Sequence, residues 1–188
     1  MRRLRTAATI AALASVFVGT APVAAVATPP SASRTAGVCS TGWGSLPKSA
    51  ADTNTAPLTN IRTGRHNCYD RMVFDVPTAT GAVGYHVGYV GSFHQDGSGR
   101  LIPVGGGAIL EIFVNAPSYD SDYRPTYAAK AAKPLPGVKL TGYRTFRDTK
   151  FGASYEGQTQ VGLGVRARLP FRALQLDSRL IVDVAHTW

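Results

Sequence analysis

Cysteine, histidine and acid are all scarce in this chain, which has 2 Cys, 4 His and 11 Asp plus Glu among 188 residues. Two thiols exclude a multi-bridge disulfide scaffold and a Cys-rich zinc module. His66, His86, His94 and His186 include no pair at the close helical spacing of a zinc site, although His86, His94 and His186 could still meet in space. No Ser stands in a Gly-x-Ser-x-Gly elbow, and Gly105-Gly106-Gly107 lacks the Lys and Ser/Thr of a phosphate-binding loop. Catalytic residues, metal ligands and cofactors are therefore all assigned as none.

Long apolar runs are confined to the N-terminus. Arg2, Arg3 and Arg5 precede a nearly apolar stretch from Ala7 to Val26, which is the layout of a signal peptide. The triplet Ala25-Val26-Ala27 predicts cleavage before Thr28, with Ala24 and Ala21 as competing ends. Thr20 and Pro22 interrupt the run, which argues against a membrane anchor needing about 20 strongly apolar residues. Residues 1–27 are thus read as a signal peptide, 28–56 as a Pro/Ser/Thr/Ala-rich tail tied down near Cys39, and 57–188 as one β domain. The expected location is secreted or wall-associated, with no transmembrane segment after cleavage. That compartment favours a Cys39–Cys68 disulfide over two separate buried thiols.

Basic residues exceed acidic ones by 20 to 11, yet no Lys/Arg block exists. Spread positive charge on an exported protein favours anionic envelope material through long-range attraction and gives no reason to assign nucleic acid as a partner; solubility alone accounts for it equally well.

The apolar pattern has period two, which indicates strands. Strands are expected at Tyr69–Val76, Val83–Val90, Ala108–Val114, Leu140–Phe146, Val161–Leu169, Phe171–Leu176 and Leu180–Val184. Gln95-Asp96-Gly97-Ser98-Gly99 has the glycines of a tight reversal. Helix-friendly composition is limited to Tyr127–Lys133, so at most one short helix is expected. The fold class is all-β: a single β-sandwich of two mainly antiparallel sheets, with a small closed barrel as the other solution.

Two phrases are alike. Arg71-Met72-Val73-Phe74-Asp75-Val76 and Arg179-Leu180-Ile181-Val182-Asp183-Val184 each give Arg, three apolar residues, Asp and Val, with Arg and Asp on one face. Each Asp is read as neutralised by the Arg four residues earlier in its own strand, so Arg71, Asp75, Arg179 and Asp183 form structural pairs; an exposed pair of this kind would be worth roughly 0 to 1 kcal/mol. Glu111 is the remaining strand acid.

Aromatic and charged residues crowd the loops. Tyr119, Tyr123, Arg124, Tyr127, Tyr143, Arg144 and Tyr155 are candidate ligand-binding residues, since tyrosine offers a sugar a flat apolar face and a hydroxyl. The same rings could instead cap the ends of a sandwich.

The phrase Cys68 to Asp75, then Gly84 to Val90, the Gly-rich lead into Ala108 to Ile112, and the ending Asp183-Val184-Ala185-His186 with Trp188 resemble the AMIN-like domain proteins of actinobacteria. The resemblance spans roughly residues 57–188. It implies kinship with the AMIN domain found beside cell-wall amidases and in pilus secretins, a β-sandwich that localises its host to the envelope. It further implies a non-catalytic module whose partner is peptidoglycan, another wall glycan or an envelope protein. A cell-wall hydrolase and a secreted protein-interaction or inhibitor domain are the competing readings.

Overall fold

The computed structural model describes residue 39, residues 42–51, residue 54 and residues 56–188. The expected signal peptide and most of the expected tail lie outside the described residues. Nine strands form two antiparallel sheets: β1 (Lys48–Ala50), β2 (Asn60–Arg65), β3 (Tyr69–Asp75), β4 (Tyr85–Val90), β5 (Ala108–Val114), β6 (Phe146–Tyr155), β7 (Gln158–Val165), β8 (Phe171–Gln175) and β9 (Arg179–Ala185). Sheet A has the order β1-β4-β5-β7-β6 and sheet B the order β2-β3-β9-β8. Neither closes into a barrel, and no helix occurs among the described residues. Tyr127–Lys133 is loop and turn.

The core forms because alternate residues of each strand share a face. Met72, Phe74, Leu180, Val182 and Val184 from sheet B meet Val87, Leu110, Ile112, Val161 and Leu163 from sheet A, all of them fully buried. Each such side chain contributes about 1.5–3 kcal/mol on leaving water.

The strand expected at Leu140–Phe146 is a difference worth explaining. Residues 140–145 are turn and bend, with Gly142 at φ 80°, and the strand starts at Phe146. Arg147, Asp148 and Lys150 hide its period-two pattern, and two register shifts break it further. Both features suit an edge strand, where charge and bulges deter pairing with another chain. The polar edge strands β1 and β2 escaped the pattern for the same reason. The strand expected at Val161–Leu169 runs from Gln158 to Val165 instead, joined to β6 by the two-residue turn Glu156-Gly157. Both turn residues have positive φ, 47° and 79°, as a type I′ hairpin requires.

The 17 residues between β4 and β5 do more than reverse the chain. Gln95 N–H donates to the Arg100 carbonyl at 2.8 Å, making the expected reversal around Gly97 and Gly99. Phe93 and Ile102 then bury themselves on the outer side of sheet A. Gly162 makes room for this, since a Cβ there would lie 2.9 Å from the Phe93 ring. Gln160 pins the loop by donating to the His94 carbonyl and accepting from Asp96 N–H, at 2.8 and 2.9 Å.

The Arg/Asp phrases pair differently from the sequence reading. β3 and β9 are antiparallel neighbours in which Arg71 sits opposite Asp183 and Asp75 opposite Arg179. Within one strand, residues four apart are separated by about 13 Å, too far for a contact, whereas cross-strand partners are adjacent. Arg71 grips Asp183 through Nε and Nη2, at 2.7 and 2.9 Å, and Arg172 of β8 adds a third bond at 2.8 Å. Asp75 accepts from Arg62 at 2.8 and 3.1 Å and from Arg179 at 3.2 Å. These carboxylate bonds are the leading cause of the raised pKa of Arg62 and Arg71.

At the other end of β3, Cys68 is bridged to Cys39 with a Cα–Cα distance of 5.3 Å. Just inside it, the buried Asp70 carboxylate accepts from Thr145 N–H (2.6 Å) and Phe146 N–H (3.2 Å), and lies 3.1 Å from His186 Nε2. His186 Nδ1 faces the Asn67 carbonyl at 3.2 Å. This knot ties β3, β6 and the C-terminus together.

Candidate functional site

Two open clefts lie at the end of the sandwich opposite the disulfide. β5 runs out at Val114 into Asn115, and the register places the Glu156-Gly157 turn at the same end. From there the chain makes a tight loop. Tyr119 bridges to Pro125, and Asp120 Oδ1 accepts from both Asp122 N–H and Arg124 N–H at 2.9 Å. Tyr123 N–H donates to the Asp120 carbonyl at 3.0 Å. The Asp side chain acts as a ready-made turn, which is why this residue type suits the position.

The loop forces Tyr123 to φ 59°, a left-handed backbone that is uncommon for a bulky side chain. Its ring is 81 % exposed and stacks on Tyr119 with 5.5 Å between centroids and 22° between planes. An aromatic face held toward water at a backbone cost is the kind of strain found at binding sites.

Two clefts meet beneath it. One, of about 550 Å³, runs from Tyr119 and Tyr123 past Asp120 to Pro57. The second, of about 640 Å³, is floored by Phe113 and walled by His86, Tyr155 and Asp96. Asn115, Glu156 and Gln158 line both, forming the ridge between them. Either volume falls in the ~300–1,000 Å³ range of small-ligand sites. Amide, carboxylate and ring groups in one groove match a sugar, which needs flat apolar contact with hydrogen-bonding edges.

The structure separates the candidate residues named from sequence. Tyr119, Tyr123 and Tyr155 reach the clefts. Arg124 lies next to them and pairs with Asp122 at 3.0 Å, both side chains exposed. Tyr127 is core: its hydroxyl donates to the Pro136 carbonyl at 2.9 Å, and burial pushes its pKa well up. Tyr143 stacks on Phe146 and packs against the core, and Arg144 follows it; both precede β6 at the disulfide end, away from the clefts. Residues the sequence reading passed over are Phe113, Asn115, Glu156 and Gln158. The signal for Glu156 and Gln158 was the pair of strand ends around a two-residue turn beside Tyr155.

The strand acids do not converge. Asp75 and Asp183 are each held by two arginines, and Glu111 accepts from Gln160 Nε2 at 2.9 Å. His86 lines a cleft, His94 bonds the Gly99 carbonyl and His186 is buried with Asp70. Among the described residues no group of three His, Cys, Asp or Glu side chains is placed to hold a metal, and no helix is long and apolar enough to cross a membrane.

No curated protein and no solved structure matches the chain. The family model described as AMIN-like domain matches residues 56–186, from the lead into β2 to the buried His186. AMIN-like domains are cell-wall-related modules of exported envelope proteins and are generally non-catalytic. By that match over most of its length, this chain belongs to the AMIN-like domain family.

Proposed function

We propose that this protein is exported and binds a wall glycan, the glycan strand of peptidoglycan, along the paired clefts, without cleaving it. Tyr123 and Tyr155 provide the stacking faces, and Asn115, Glu156 and Gln158 provide the hydrogen-bonding ridge between them. The observation that carries the reading is the exposed Tyr123, stacked on Tyr119 in a left-handed backbone that Asp120 maintains. A hydrolase is the weaker reading because Asp120 and Asp96, which share the two clefts with Glu156, each spend Oδ1 on backbone amides of their own turns, a structural use rather than that of an acid/base pair.

The test is co-sedimentation of the purified protein with wall sacculi. Tyr123→Ala should lower binding about tenfold, in keeping with one stacking contact of roughly 1.4 kcal/mol, while leaving the melting temperature nearly unchanged. Undiminished binding by Tyr123→Ala would reject the cleft as the site. Release of soluble wall fragments by the unaltered protein would reject the non-catalytic reading.

A further inference from the structure

The outer face of sheet B is built on a different chemistry from the clefts. Its two carboxylates, Asp75 and Asp183, face four arginines: Arg62, Arg71, Arg172 and Arg179. One arginine in fork geometry already neutralises each acid, Arg62 on Asp75 and Arg71 on Asp183. Arg172 and Arg179 each add a single bond through Nε and bring a surplus positive charge. Their side chains are 32 % and 43 % exposed, so the outer guanidinium edges meet water.

Of the two surplus cations, Arg172 is held in place by rings. The Arg172 guanidinium lies 4.3 Å from the Trp43 ring centroid and 5.4 Å from that of Tyr69, and Arg71 lies 5.3 Å from Tyr69. Trp43 meets Tyr69 edge-on at 5.6 Å. Between the two arginine groups the sheet shows Val73 and Ile181, 4 % and 5 % exposed, with Leu174 of β8 opposite Ile181 and more open to water.

We infer that this face is a second binding surface, for a linear wall polyanion of phosphodiester-linked polyols, with Arg172 and Arg179 as its two anchoring cations. Guanidinium presents paired N–H groups that match the non-bridging oxygens of a phosphodiester. Arg179 and Asp183, the contact of Arg172, are four residues apart on β9, so the anchors stand about 13 Å apart at ~3.3 Å per residue. One small anion cannot reach both. A flexible chain with repeating charges engages both at once and gains from their linkage, which a weak exposed contact needs.

The experiment uses the protein as the cell processes it, with poly(glycerol phosphate) as probe and titration at low and high salt. Unaltered protein should bind and lose affinity as salt rises. Arg172→Gln/Arg179→Gln should bind at least tenfold more weakly, with Asp75 and Asp183 still paired to Arg62 and Arg71 and the protein still folded cooperatively, its urea midpoint lowered less than in Asp183→Asn. Arg172→Lys/Arg179→Lys should recover most of the binding, a result that a purely structural role would not produce. Tyr123→Ala should bind the polymer normally, which separates this surface from the glycan cleft. Equal binding by the double Gln variant would overturn the proposal, as would a preference for anionic phospholipid vesicles over the polymer that the same variant abolishes.

Discussion

Asp183→Asn tests the cross-strand reading most sharply. The Asp183 side chain is fully buried and accepts three charge-assisted bonds of 2.7, 2.9 and 2.8 Å. Asn keeps the shape and one oxygen but in either amide orientation turns an NH2 toward the Arg71 guanidinium, and it leaves both cations uncompensated. Breaking a buried pair by removing one partner costs about 3–5 kcal/mol. Here Arg71 and Arg172 are 24 % and 32 % exposed and can turn partly to water, so the expected cost falls to about 2–3 kcal/mol. That is well above the roughly 0–1 kcal/mol of an exposed pair. In urea unfolding at neutral pH, with a slope of about 2 kcal/mol/M, the midpoint should drop by about 1–1.5 M. Asp75→Asn makes the internal comparison, because Asp75 is 19 % exposed and should cost about half as much. A midpoint shift below about 0.3 M for Asp183→Asn, or a larger effect at Asp75, would refute the argument that burial decides the value of these pairs.

Cys68→Ser opens a loop of sequence separation 29, for which the chain-entropy relation gives up to roughly 3.5 kcal/mol. The expected signs are a lower urea midpoint and new proteolytic cleavage near Trp43, and two free thiols in the unaltered protein by non-reducing mass spectrometry would sink the bridge. Burial raises the folded pKa of Tyr127, and less strongly of Tyr85 and Tyr89. The unfolded chain therefore gives up these protons first, so their stabilisation is complete below about pH 10 and is lost as pH climbs above it. Tyr127→Phe should cost about 0.5–1.5 kcal/mol at neutral pH by orphaning the Pro136 carbonyl, and should make the alkaline fall in melting temperature shallower; an unaltered slope would show that Tyr127 does not govern it.

Period-two alternation made the central strands legible because a strand buried on one face must alternate. β5 is read to its residue limits, and β3 and β9 to within one residue. Edge strands obey the opposite pressure. The charges of β6 and the polar run of β2 protect unpaired backbone from other chains and erase the pattern that identifies a strand. Tyr119, Tyr123 and Tyr155 could be chosen by residue type, but Tyr127 shares that type and points into the core. The difference lies in the path of the chain after β5, where the Asp120 turn rotates one ring outward. No local signal carries that.

The same limit explains why the Arg/Asp phrases were legible as a pair of strands but not as a surface. A phrase reports which side chains share a face, whereas contact between Arg71 and Asp183 depends on register, and register depends on how two sheets bury their apolar sides. Slipping β9 by one residue would turn Leu180 and Val182 outward and bury Arg179 and Ile181 in their place. The core therefore selects the alignment, and the alignment then delivers two arginines to each acid. Arg172 follows the same logic from β8, since Phe171 and Ala173 are drawn inward on either side of it. The surplus positive charge of the outer face is thus a consequence of how the hydrophobic layer beneath it is packed, and mutations that loosen that layer should weaken polyanion binding without touching an arginine.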